Sequence, residues 1–82
     1  MINVLATGST GNAVIYFDEI LIDIGVPYSL VKPYQNKLSI VLLTHWHTDH
    51  INISALAKLC FERPALRVGC GEWMVDRIKD VC

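Results

Sequence analysis

The chain has 82 residues, 52% of them hydrophobic, and a formal net charge of −1. A chain this short buries only about 60–65% of the surface its unfolded form exposes, so residues 1–82 make one small domain. Near-zero charge and a high aliphatic content exclude a disordered chain and an electrostatic nucleic-acid binder. No apolar stretch is long enough to span a membrane. The apolar content exceeds what so small a core absorbs, and the excess predicts a surface covered by something else, a missing second half or another chain.

In chain order, residues 2–6 read as a short apolar strand, followed by the turn Thr7-Gly8-Ser9-Thr10-Gly11-Asn12. That turn lacks the Gly-Lys-Ser/Thr ending and following helix of a phosphate loop. It is either a plain turn or one whose backbone N–H groups and Asn12 side chain line a site. Residues 13–17 form a second strand, Asp18-Glu19 a tight polar turn, and residues 20–24 a third strand ended by Gly25. Two successive hairpins give the sheet an antiparallel opening. Asp23 interrupts the third strand, and a carboxylate there is costly unless hydrogen-bonded or close to a metal. We read Asp23 as orienting the loop that follows the fourth strand.

A helix over 29–36, with Pro33 tolerated early or kinking it, leads to a fourth strand over 37–43. Ser54 reads as the N-cap of a helix reaching about Glu62, with Leu56, Leu59 and Cys60 as its apolar stripe. Arg63-Pro64 ends that helix, residues 66–69 form a fifth strand, and residues 71–81 a last helix with Met74, Ile78 and Val81 facing inward. Trp73 is assigned to the core or an interface in preference to a substrate platform. Lys58, Arg63, Arg67, Arg77 and Lys79 alternate with Glu62, Glu72, Asp76 and Asp80, which reads as a solvated mixed-charge face. Cys60, Cys70 and Cys82 form no CxxC pair and read as thiols in a reducing compartment. Met1-Ile2-Asn3 lacks the basic start of a signal peptide, so a cytoplasmic protein is expected.

All three histidines fall in His45-Trp46-His47-Thr48-Asp49-His50, directly after the apolar run Ile40-Val41-Leu42-Leu43-Thr44. A Thr-Asp pair alone is an ordinary turn or cap, but imidazole and carboxylate groups at this density are the donor set of zinc-class ions. If the segment stays extended, His45 and His47 project to the same side. Asp49 and His50 then approach from another direction or serve a second ion. His45, His47, Asp49 and His50 are therefore the candidate metal ligands.

Three ordered motifs carry a family resemblance: Gly8-Ser9-Thr10-Gly11-Asn12, Leu21-Ile22-Asp23-Ile24-Gly25, and Thr44-His45-Trp46-His47-Thr48-Asp49-His50. Together they make the chain resemble the N-terminal half of the metallo-β-lactamase-fold hydrolases, whose HxHxDH signature the last motif matches. The glycine-rich turn is similar to that of a subgroup related to bacterial nucleases and phage-encoded members. The resemblance implies an α/β (α+β) fold, one half of an αβ/βα sandwich with a mostly antiparallel or mixed sheet and helices on one face. It implies that His45 and His47 bind a first ion, and Asp49 and His50 a second, zinc by default with Mn2+ or Fe2+ as alternatives. Asp49 would also hold or deprotonate the attacking water, and Asp23 and Asn12 would support the site.

Two departures limit the match. Ile51-Asn52-Ile53 stands where the family usually places a glycine, and no histidine follows His50. Asp76 and Asp80 fall on the last expected helix, away from the family's bridging position. Within this chain the first ion has two protein ligands where a catalytic zinc usually has three. Three functions follow: a truncated hydrolase acting on a phosphodiester, nucleic acid or other ester or amide, a homodimeric metal-binding half-domain, and a non-catalytic interaction module that keeps the loop as a relic.

Overall fold

Five strands lie side by side in the order in which they occur in the chain. The computed structural model describes residues 2–8, 11–44, 51–79 and 81. β1 (Ile2–Ala6) pairs antiparallel with β2 (Ala13–Tyr16), placing Ile2 opposite Tyr16 and Val4 opposite Val14. β2 pairs antiparallel with β3 (Ile20–Ile22). The sheet then changes character: β3 runs parallel to β4 (Ile40–Leu42), and β4 parallel to β5 (Arg67–Gly69). The result is the α+β class with a mixed sheet that the sequence predicts.

The β2–β3 turn sits one residue earlier than its polar residues suggest. Phe17 and Asp18 have φ of 53° and 61°, and the Glu19 amide donates to the Tyr16 carbonyl at 3.0 Å. Positive φ at both central residues marks a type I′ turn, whose twist matches that of a hairpin. Asp18 also accepts from the Asn3 side chain at 3.2 Å, tying the turn to β1.

The helices are shorter and more broken than expected. In place of one helix over 29–36, α1 (Tyr28–Val31) passes into a 3-10 turn over Lys32–Lys37. Pro33 has no N–H to give the carbonyl of Ser29, so the α pattern cannot continue through it. α2 (Ile53–Glu62) is capped by Asn52, whose side chain accepts from the Ala55 amide at 3.1 Å. Ser54 therefore lies inside the helix and is not its cap. The last expected helix is a 3-10 turn over Glu72–Met74 followed by α3 (Val75–Ile78).

Packing separates the two faces of the sheet. Ile15, Leu21 and Val41 stand opposite one another on successive strands and are fully buried. They join Val31, Leu56, Leu59, Met74 and Ile78 in one cluster, so the helices cover that face. The alternating residues Val14, Ile20, Ile22, Ile40 and Leu42 point the other way and lie outside the cluster, half-buried. Met74 and Ile78 face inward as expected, and Val81 packs against the core. Trp73 is 65% exposed, which removes the core from the two alternatives, core or interface, given for it. Its ring lies over Gly71, where an added Cβ would come within 2.6 Å of the indole nitrogen.

Lys58, Glu62, Arg67, Glu72, Asp76, Arg77 and Lys79 are exposed, as a solvated charged face requires. The Lys79–Asp76 pair there, 3.7 Å apart, is too exposed to contribute much. Cys60 is disulfide-bonded, which corrects the reading of all three cysteines as thiols, while Cys70 is free. Among the described residues, no helix is long and apolar enough to cross a membrane.

Candidate functional site

The site is built at the end of β3. Asp23 has φ of 61°, a left-handed conformation that Asp tolerates better than the β-branched residues around it. Its amide still donates to the Leu42 carbonyl at 2.8 Å, so pairing with β4 survives the change of direction. Its side chain, only 5% exposed, turns towards the end of β4. There Oδ1 accepts from the Thr44 amide at 2.8 Å and Oδ2 from the Thr44 hydroxyl at 2.6 Å. Hydrogen bonds to an ionised acceptor are short and strong, and two of them offset the cost of burying the carboxylate. Asp23 thus fixes the residue immediately before His45.

The next residues of the same segment hold the other side of the histidine stretch. Ile24 makes a parallel bridge with Ile51, and its carbonyl accepts from the Asn52 amide at 2.6 Å. Asn52 in turn caps α2. Residues 44 and 51–52, which flank the stretch 45–50, are therefore both bound by residues 23–24. Six residues separate two fixed points on one sheet edge.

The glycine-rich turn reaches the same edge. The Asn12 carbonyl accepts from the Gly25 amide at 2.8 Å. An added Cβ on Gly11 would lie 2.5 Å from the Gly25 carbonyl oxygen, so this close approach admits only glycine. Asn12 closes the turn itself: its Nδ2 donates to the Gly8 carbonyl at 2.8 Å, and its Oδ1 accepts from the Gly8 amide at 3.1 Å. These bonds give Asn12 a turn-forming role.

The structure thus brings Asn12, Asp23 and Thr44, one residue from each of the three sequence motifs, to the same end of the sheet. His45, His47, Asp49 and His50 lie outside the described residues. Among the described residues, no three His, Cys, Asp or Glu side chains gather to hold a metal. Both Asp23 oxygens accept from Thr44, which suits a residue that orients a ligand loop. A cleft of about 450 Å³ lined by Ser39, Ile40, Arg63, Ala65 and Arg67 lies at the opposite end, where β4 and β5 begin. In sheets of parallel strands, functional groups gather beyond the carboxyl ends, which favours the Asp23–Thr44 edge.

The sequence did not reveal the parts played by Thr44, Ile24 and Asn52. For Thr44 a signal was present, a hydroxyl at the end of an apolar strand in a chain with an acid placed at the end of the neighbouring one. For Asn52 it was the Asn-x-x-Ala spacing into an apolar helix. Ile24 carries no such signal, because its contribution is a backbone carbonyl. Comparison with models of protein families, with curated proteins and with solved structures finds no match to this chain.

Proposed function

We propose that this chain is the metal-binding half of a metal-dependent hydrolase of the metallo-β-lactamase type. The observation that supports this most is the double anchoring of residues 44 and 51–52 by Asp23 and Ile24. A metal loop needs its donors held before the ion arrives, and fixed flanks on a sheet edge meet that need. In this reading His45 and His47 donate imidazole nitrogens to one zinc, and Asp49 and His50 serve a second. The residues suit the group by donor type, since neutral imidazole and carboxylate are zinc's usual ligands.

When bound, zinc would supply an activated water and polarise the scissile phosphoryl or carbonyl group. Asp49 would accept the proton of the attacking water. Asp23 would contribute by fixing Thr44, and through it the direction in which the chain enters the loop. A phosphodiester or nucleic-acid substrate belongs to this reading by family analogy. So does a cytoplasmic location, a reducing compartment in which the Cys60 disulfide would open. Two protein ligands for the first ion are fewer than a catalytic zinc uses, so turnover requires donors from outside this chain.

Zinc binding measured by competition with a chromophoric chelator tests the reading. The chain should bind zinc weakly, His45→Ala and His47→Ala should each remove most of that binding, and the purified chain should hydrolyse bis(p-nitrophenyl) phosphate negligibly. Zinc affinity indifferent to both substitutions would overturn the ligand assignment. Rapid hydrolysis by the isolated monomer would overturn the incomplete shell. A stable fold without any zinc affinity would favour the interaction module.

A further inference from the structure

The cleft where β4 and β5 begin, away from the Asp23–Thr44 edge, gathers two arginines and no acidic residue. Arg63, Arg67 and Ser39 line it together with Ile40 and Ala65, around a volume of about 450 Å³. Among the described residues, neither arginine is in an ion pair. Glu19 and Glu62, which adjoin these residues in the ladder and in the chain, are exposed and do not line the cleft. A guanidinium carries five N–H donors and keeps its charge at every physiological pH. Two of them beside one space, with no acid among its walls, favour an anion there.

Arg63 is held in place before any ligand arrives. It ends α2: its amide donates to the Leu59 carbonyl at 2.9 Å, and its own carbonyl accepts from the Leu66 amide at 3.0 Å. Its Nη1 donates to the Gln35 carbonyl, which also accepts the Leu38 amide where the 3-10 turn finishes. Gln35 is fixed at its other end, since its Oε1 accepts from the Tyr28 hydroxyl. The protein thus engages one donor of the guanidinium and removes side-chain freedom that binding otherwise costs. Arg67 stands at the first position of β5, its amide donating to the Ser39 carbonyl at 3.4 Å. The Ser39 hydroxyl reaches the Glu19 carbonyl only at 3.3 Å, long for an O–H donor, so it is able to turn to a ligand.

We propose that this cleft binds the phosphate group of a small phosphomonoester, at a site separate from the metal loop of residues 45–50. Two positive groups match the charge of about −1.5 to −2 that a phosphomonoester carries at pH 7 better than the single charge of a carboxylate or phosphodiester. Planar guanidinium forks also pair with its oxygens two at a time, which an ammonium cannot do. Size points to a small molecule. A volume of about 450 Å³ exceeds what phosphate alone fills and lies within the range of small-ligand pockets. Ile40 and Ala65 supply an apolar wall for the organic part. A polyanion is disfavoured, because a chain of net charge −1 offers it no long-range attraction. Binding alone is assigned to the cleft, and no bond forms or breaks there.

Titration of the 82-residue chain with phenyl phosphate, followed by amide NMR shifts, tests this. EDTA is present throughout, so that no metal ion at residues 45–50 takes part. A Kd on the order of 1 mM is expected, with inorganic phosphate at least about threefold weaker and benzoate at least about tenfold weaker. The amide signals of Ser39, Ala65 and Arg67 should move, and those of Val14 and Leu56 should not. Arg67→Ala and Ala65→Glu, both at exposed positions, should each weaken binding at least about tenfold and leave the circular dichroism spectrum unchanged. Arg63→Lys keeps the charge without the fork and should weaken it about threefold. Lys58→Ala, at an exposed cation outside the cleft, should have no effect. No binding at about 10 mM phenyl phosphate would overturn the assignment. So would benzoate or inorganic phosphate binding as tightly, affinity that survives both Arg67→Ala and Ala65→Glu, or shifts confined to other residues.

Discussion

Asp23 grips Thr44 by both of its donors, the amide at 2.8 Å and the hydroxyl at 2.6 Å, across 21 positions of sequence. In Asp23→Asn the amide oxygen can keep the bond from the Thr44 amide, and Nδ2 can donate to the Thr44 hydroxyl oxygen in place of accepting from it. The expected loss is about 1 kcal/mol of stability, the difference between hydrogen bonds to a carboxylate and to a neutral amide. Asp23→Ala should lose about 1–3 kcal/mol more, because it removes both acceptors of the Thr44 donors and Ala tolerates the left-handed backbone less well than Asn. Urea denaturation of the three proteins checks both values, and equal stabilities for Asn and Ala would contradict the part the Asp23 side chain plays in holding Thr44.

Gly11 and Gly8 share a turn but have different reasons to be glycine. At Gly11 an added Cβ meets a backbone carbonyl at 2.5 Å, and at Gly8, with φ of 112°, it meets open space. Gly11→Ala should therefore force the turn away from Gly25 and cost about 2–3 kcal/mol, as overpacking against an unyielding neighbour does. Gly8→Ala should cost only its conformational strain, about 1–2 kcal/mol. The same denaturation measurement orders them, and a larger loss at Gly8 would refute the contact at Gly25.

The start of α2 offers a direct comparison of two candidate caps. Asn52→Ala removes the bond to the Ala55 amide and should cost about 0.5–2 kcal/mol. Ser54→Ala, at an exposed position inside the helix, should change stability by less than about 0.5 kcal/mol or raise it slightly. Thermal unfolding of the two variants settles which residue begins the helix.

These examples show where the sequence was readable and where it was not. Strand positions were legible because runs such as Ile40-Val41-Leu42 leave little else for the chain to do. Helix limits were less so: Asn52 and Ser54 are both good caps, and only tertiary placement, with the Asn52 amide bound to Ile24, decides between them. Trp73 read as a core or interface residue from its size, yet its ring finds Gly71 locally and stays exposed, outside the core. At the site, Asp23 was legible because a carboxylate at the end of an apolar strand demands partners. Thr44 and Ile24 were not, because their partners come from distant positions and, for Ile24, from the main chain. The four ligand candidates rest on the chemistry of their side chains.

The sequential strand order has a further consequence, for folding. Each strand pairs with its predecessor in the chain, so no early strand waits for a late one to be inserted between its neighbours. The β1–β2 and β2–β3 hairpins close loops of a few residues and can form first, while the parallel additions of β4 and β5 require longer closures and follow. Assembly therefore proceeds from the antiparallel edge, and the Asp23–Thr44 latch, which needs β4 in place, closes only after that edge is built.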